Sequence, residues 1–403
     1  MKVVKEFRGF DPRSASLVWA LAGFLLVLGW QFLTVHANYG GNWTGLFFTG
    51  ASVPVPDALA STTYRVQSAK GYDGQYYRLI AHDPFFHENT AAYLDAPRLR
   101  ARRILIPILA WVLAGGRQGL IDGAYVLVVA SFILGGIYWL ACTMVQQGRH
   151  AAWGFLFLVV PATLVSIDRM TVDVALGALT ALFAFQLLAH RERWLWFTLA
   201  SAVLVRETGV MLPAAAVLAA LLRRDFRRAV LWASAALPAL AWYLYVQYNV
   251  ALAPVGARMA AIPRWVVPHL GLGIVERALD PPKYGLSAQL ETIARGIDGI
   301  ALAATVAAAV MSMVRLRKTP TAALRAVLCI QVFFMIFMTN KLFWNTPFGY
   351  SRPIAPLFVL LIAAAGMGPN FGAVMRGVLL CMLVDLRLFT EIKAEVLGVL
   401  HWL

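Results

Sequence analysis

Apolar runs long enough to cross a bilayer as helices recur along this chain, and they constrain its fold more than any other feature. Residues 15–35 and 125–145 contain no charged side chain, and a helix needs about 20 apolar residues to span a hydrocarbon core of about 30 Å. Inside such a core every backbone N–H and C=O must find its partner within the segment, which selects helices over open strands. Of the 403 residues, 60% are hydrophobic and only 14% are charged, against roughly 25% charged in soluble domains. No polar stretch is long enough to bury a core of its own. The fold class expected is all-α, a polytopic integral membrane protein with about 11 transmembrane helices. Residues 1–403 form one membrane domain: a first span at 14–36, an outer loop at 37–120 with interfacial helices, a helical core at 121–250, a second outer loop at 251–295 and C-terminal spans over 296–403.

The formal net charge is +15, but the basic residues cluster at the ends of apolar runs. Lys2, Lys5, Arg8 and Arg13 form one such cluster, Arg223, Arg224, Arg227 and Arg228 a second, and Arg315, Arg317 and Lys318 a third. Clusters so placed mark cytoplasmic loops, so the excess charge reports topology and implies no nucleic-acid partner. Val35-His36-Ala37 has the form of a signal cleavage site, yet the apolar core before it exceeds the about 7–15 residues of a signal. An uncleaved first span is expected. Residues 104–116 reach roughly 20 Å at about 1.5 Å per residue, too short to span, and read as a helix lying at the interface. Residues 37–103, 168–173, 206–208, 251–295 and 340–352 then all fall on the outer side. Cys142, Cys329 and Cys381 lie inside apolar runs, so no disulfide framework is implied.

The outer polar segment carries Gly71-Tyr72-Asp73-Gly74-Gln75-Tyr76-Tyr77. Tyr72, Tyr76, Leu79 and Ile80 recur at helical spacing, a stripe that suits a helix resting on the membrane. Asp73 stands at the start of that helix and has two readings. It is a preferred N-cap residue, or it is a general base placed where an acceptor hydroxyl meets a lipid-borne leaving group. Gly71 and Gly74 permit close approach of the backbone to a ligand, or simply a turn. Tyr72, Gln75, Tyr76 and Asp83 are the neighbouring candidates for substrate contact.

Further along, Asp168 and Asp173 bracket the mouth of a helical hairpin. They are candidates for orienting a substrate hydroxyl or for holding a divalent cation, Mg or Mn; a solvated turn is the plainer alternative. Arg206 and Glu207 sit at a turn between two short apolar helices. Ionisable residues at that depth cost about 2.5–3.5 kcal/mol each and usually pair or work; pairing with each other is the plainer alternative here. Arg98, Arg102, Arg103, Lys341 and Arg352 supply cations on the same side, and a phosphate leaving group needs such a group to meet its developing charge. Arg352 follows a loop rich in Trp344, Asn345 and Tyr350, a surface type suited to sugars, though aromatic belts at the membrane interface are commoner. His82, His87 and His269 are too scattered for a metal site. No phosphate-cradling Gly loop, nucleotide fingerprint or Ser-hydrolase elbow is present, so an activated lipid is a more plausible donor than a soluble nucleotide.

The chain resembles the GT-C superfamily of polytopic membrane glycosyltransferases and, more narrowly, the bacterial cell-surface glycopolymer formation proteins. The resemblance is carried by Gly71–Tyr77 with Ile80-Ala81-His82-Asp83-Pro84-Phe85, by Arg102-Arg103-Ile104-Leu105-Ile106-Pro107 with Ala110-Trp111, and by Arg206-Glu207-Thr208-Gly209. It covers roughly residues 15–230. It implies a polyprenyl-phosphate-linked sugar as donor, a glycan or lipid acceptor, and a multi-pass protein of the bacterial inner membrane with its active face outward. It also implies an inverting transfer with Asp73 as base and an arginine meeting the phosphate. Many members carry paired acids early in the first outer loop; here Asp73 stands alone, with Asp83 further on. The rival readings are a transporter or flippase of lipid-linked sugars, which would more often show repeated halves and midplane charges, and a non-catalytic assembly subunit.

Overall fold

The structure is a computed structural model, and it describes residues 12–68, 70–250, 272–338, 341–344 and 346–402. It is all-α apart from a two-residue parallel pairing of Thr49–Gly50 with Arg65–Val66. Four helices among the described residues are long and apolar enough to cross a membrane: Arg13–Tyr39, Gln118–Gln146, Phe226–Asn249 and Ala288–Lys318. A fifth candidate, Ala151–Val159 with Pro161–Arg169, is bent by 65°. Its break falls where Pro161 lacks the N–H that would continue the ladder. Side chains such as Leu25, Leu222, Val230 and Val314 point outward. Large apolar surface of this kind is stable when lipid, not water, faces it.

Other apolar segments form shorter helices. Asp173–Leu188, Glu207–Leu222, Ala322–Phe337 and Gly349–Ala365 are apolar helices of 10–17 residues. Within the expected C-terminal spans, the last apolar stretch is broken into Phe371–Cys381, a turn at Met382–Asp385 and Leu386–Glu391. Asp385 and Arg387 interrupt the apolar run there, and Arg387 reaches Asp298 at 3.4 Å. The loop expected over 251–295 is also shorter than drawn, because helix Ala288–Arg315 begins inside it. Residues 251–271 of that loop, with His269, lie outside the described residues.

Gln118–Gln146 is the central post, packed by Pro12–Tyr39, Asp173–Leu188 and Leu105–Leu113. Pro347–Ala365 is also deeply buried, with Leu357, Phe358, Val359 and Ile362 fully enclosed. The nine residues of Leu105–Leu113 rise about 14 Å, less than the hydrocarbon core of about 30 Å; Val112 and Leu113 face outward from it.

Helix Gly74–His82 does not rest on the membrane as its apolar stripe suggested. Tyr77, Ile80 and Ala81 are fully enclosed, and the helix is bolted to the central post by charge. Arg78 donates to both Asp122 oxygens at 2.7 and 2.8 Å, and His82 bonds Asp122 at 3.1 Å. The arrangement leaves Arg78 buried but paired in bidentate fashion, the geometry that best offsets its lost hydration. From the other side, Trp242 Nε1 donates to the Ala101 carbonyl at 2.8 Å and the Tyr245 hydroxyl to Phe85 O at 2.8 Å.

Candidate active site

The two glycines flanking Asp73 are dictated by protein packing. Gly71 has a φ of +62°, and a methyl group there would overlap Phe48 O and the Gly50 N–H. At Gly74 it would overlap the carbonyl oxygen of Arg169. Both positions let the motif press against its own protein, so the close approach they allow is not one to a ligand. Gln75 completes the anchor: its Oε1 accepts from Gly50 N–H and its Nε2 donates to Lys70 O, each at 3.0 Å.

Asp73 occupies the N-cap position of Gly74–His82, yet its side chain makes no capping bond and its backbone is helical, with φ −56° and ψ −32°. The capping alternative therefore fails. The carboxylate turns to two cations instead: Arg100 donates to Oδ1 at 2.9 Å and Arg352 to Oδ2 at 2.9 Å. Burial alone would raise the Asp73 carboxyl, but the Arg100 and Arg352 guanidiniums outweigh it and hold it well below the usual carboxylate range. Arg352 also lies over the Tyr72 ring at 5.2 Å. Burial, together with the Asp73 and Asp173 charges and against the pull of Arg352, pushes the Tyr72 phenol up to about 12.

The contacts continue outward from this pair. Arg100 also donates to both Asp95 oxygens, at 2.9 and 2.8 Å, and covers the Tyr76 ring at 5.0 Å. Arg352 donates to Asp173 at 3.3 Å, and Arg206 bonds the other Asp173 oxygen. Arg103 donates to Glu207 at 3.2 Å and to the Tyr77 hydroxyl at 2.9 Å. Arg206 and Glu207, neighbours in sequence, thus pair with partners from elsewhere and not with each other.

Of the other sequence candidates, Asp83 closes its own loop, accepting from the N–H groups of His87 and Glu88 and from the Thr90 hydroxyl. Arg102 lies over Tyr243 at 5.4 Å, and Arg98 donates to Val250 O at 3.0 Å. Lys341 begins a short helix, but its side chain lies outside the described residues, as does Asn345. Trp344 and Tyr350 are fully buried with rings 5.2 Å apart; they are core, not a sugar-facing surface. Asp168 and Asp173, only 2% and 4% exposed, do not form a solvated turn. Nor do they share a cation site: Asp168 accepts from Trp30 Nε1 at 2.7 Å, while Asp173 is held by arginines. Among the described residues no three His, Cys, Asp or Glu side chains gather as metal ligands.

The residue most missed by sequence reading is Arg100, together with Tyr77 and Asp95. One signal was available. Arg100 and Arg103 are three apart and Asp73 and Tyr77 four apart, spacings that put each pair on one helical face.

Chemically, the site presents a carboxylate flanked by guanidiniums, beside aromatic rings and at one end of apolar helices. Such a set can take a proton from a hydroxyl and meet the charge of a phosphate. Compared with known proteins, the chain matches no protein-family model, no curated relative and no solved structure.

Proposed function

We propose that this protein is a GT-C-like glycosyltransferase. It moves a sugar from a polyprenyl-phosphate donor to a cell-envelope glycan or lipid acceptor on the outer face of the bacterial inner membrane, with inversion. The observation that carries the reading is the Asp73 carboxylate, free of any capping duty and bridged by Arg100 and Arg352. In the reaction Asp73 takes the proton of the acceptor hydroxyl as its oxygen bonds to the anomeric carbon. The bond from that carbon to the phosphate oxygen breaks, and the departing polyprenyl phosphate takes the electron pair. Arg352 and Arg100 meet its charge, the task for which guanidiniums are suited by their planar fork. Tyr72 and Tyr76 contribute ring faces beside these cations. Asp173 with Arg206, and Glu207 with Arg103, position the arginines. The residues at Asp168 and Asp173 do not fit a shared metal ion, and no step is routed through one.

A transporter or flippase of lipid-linked sugars is the second reading. It is favoured by the buried pair of Arg277 and Asp298, 2.9 Å apart on the flank of an apolar helix, since charges among spanning helices often mark a transport path. Purified protein is to be incubated with a panel of polyprenyl-phosphate sugars, alone and in vesicles. Sugar transfer by the wild type that disappears in Asp73→Asn supports the transferase. Transfer unchanged by the substitution removes Asp73 as base, and lipid-linked sugar crossing the vesicle membrane without transfer replaces the enzyme by the transporter.

A further inference from the structure

Among the described residues the arginine cluster is electrically closed. Four guanidiniums, of Arg100, Arg103, Arg206 and Arg352, face four carboxylates, of Asp95, Glu207, Asp173 and Asp73. An anionic phosphate brought among them must take the place of a carboxylate. Three of the four are poor candidates for displacement. Asp173 is 4% exposed and held by two arginines, while Asp95 and Glu207 each pair with one arginine at the margin. Asp73 combines two properties that the others hold singly. Like Asp173 it bridges two guanidiniums from distant parts of the chain, one oxygen to each, here at 2.9 Å, but its side chain is 21% exposed where that of Asp173 is 4%; Asp95 and Glu207 are more open, at 29% and 31%, but bridge nothing.

A phosphate group would bridge the same two guanidiniums through two of its own oxygens. Removing Asp73 from the bridge would leave neither cation unsupported, because Arg100 keeps Asp95 and Arg352 keeps Asp173. The two arginines are therefore held in position whether or not Asp73 touches them, as a preorganised anion site requires.

We propose that Asp73 is a latch on a phosphate site made by Arg100 and Arg352: it holds the two guanidiniums until a phosphate group displaces it, and only then is it free to take a proton. This rests on the transferase reading and adds an order of events to it. A carboxylate clamped by two cations is a weak base, and losing them strengthens it. The acceptor would thus be deprotonated only when a phosphate-linked donor is already seated, which protects against unproductive reaction with water.

The test is binding without turnover, on the full chain in detergent, by calorimetric titration with farnesyl phosphate and separately with inorganic phosphate. Asp73→Asn should bind about tenfold tighter than wild type, because the competing anion is gone. Glu207→Gln removes the same charge from the cluster but not from the bridge, and should tighten binding by less than about threefold. Tightening with farnesyl phosphate alone assigns the site to a lipid-linked phosphate, and tightening with both assigns it to the phosphate group itself; either supports the latch. Unchanged or weaker binding by Asp73→Asn, or equal tightening by Glu207→Gln, overturns it. Should Asp73→Asn fail to fold, Asp73→Ser carries the same expectation. Tightened binding with no sugar transfer by the wild type would sink the transferase and leave the latch standing.

Discussion

The two ends of helix Pro347–Ala365 use arginine in opposite ways. At its start, Arg352 and its neighbours Arg100, Arg103 and Arg206 face carboxylates. Past its end, Arg149 donates to the carbonyls of Gly366 and Gly368 at 3.2 and 2.7 Å. Arg315 donates to Ala364 O at 2.7 Å and also to Met367 O, and Gln147 donates to Ala363 O at 3.0 Å. The last carbonyls of a helix have no partner within it and carry its negative pole. Guanidiniums there complete the fold, and no soluble anion competes for a neutral carbonyl that is part of the chain. At the opposite end the partners are themselves anions, and at the Asp73 bridge a ligand of like charge can compete. The same side chain is structural at one end and exchangeable at the other, and the acceptor makes the difference.

The sharpest way to break that contrast is Asp73→Asn. Sugar transfer should fall by about a thousandfold, within the range for loss of a general base, while the thermal melt in detergent falls modestly through the lost ion pairs; radiolabelled product formation measures the first. Arg352→Ala comes next, stranding Asp73 and Asp173 with one guanidinium each. It should lower stability by about 3 kcal/mol, the order for breaking a buried pair, and abolish transfer as well. Arg315→Ala at the opposite end should cost about 1–3 kcal/mol through unsatisfied carbonyls, yet leave transfer per folded molecule at the wild-type rate. A loss of transfer without loss of stability there would erase the distinction between the ends.

The smallest effect is in pH. The folded Asp73 carboxyl lies below its ordinary value because Arg100 and Arg352, acting against burial, favour the charged form. Its contribution to stability is therefore complete above the unfolded value of about 3.9 and is lost as pH falls below it toward the folded one. Melts from pH 6 down to pH 3 should decline more steeply for wild type than for Asp73→Asn. Parallel curves would mean that the two cations do not hold the carboxylate.

Much of the architecture was legible beforehand because hydrophobic length is a local property. The first helix, the central helix and the short helix at Leu105–Leu113 all follow from counting apolar residues. The charge rule also collected Asp73, Asp168, Asp173, Arg206, Glu207 and Arg352 on one side; of these Asp73, Asp173, Arg206 and Arg352 do meet, Glu207 pairs with Arg103, and Asp168 is held by Trp30. The orientation of Gly74–His82 was not legible. Its stripe of Tyr72, Tyr76, Leu79 and Ile80 is apolar whether protein or lipid lies beneath it, and the anchoring by Asp122 comes from a helix far along the chain. Trp344 and Tyr350 were read as a surface for a similar reason: an aromatic side chain suits a core, an interface and a sugar equally well.

Sequence alone determined that this chain is a bundle of apolar helices with its charges gathered at their ends, because the thickness of a bilayer and the cost of buried charge act on each segment separately. Only the tertiary structure decided which charges are partners. It took Asp73 away from its helix cap and Arg206 away from Glu207, and it brought in Arg100. An ion pair depends on the direction of two side chains from distant segments, and that direction is set when the helices pack.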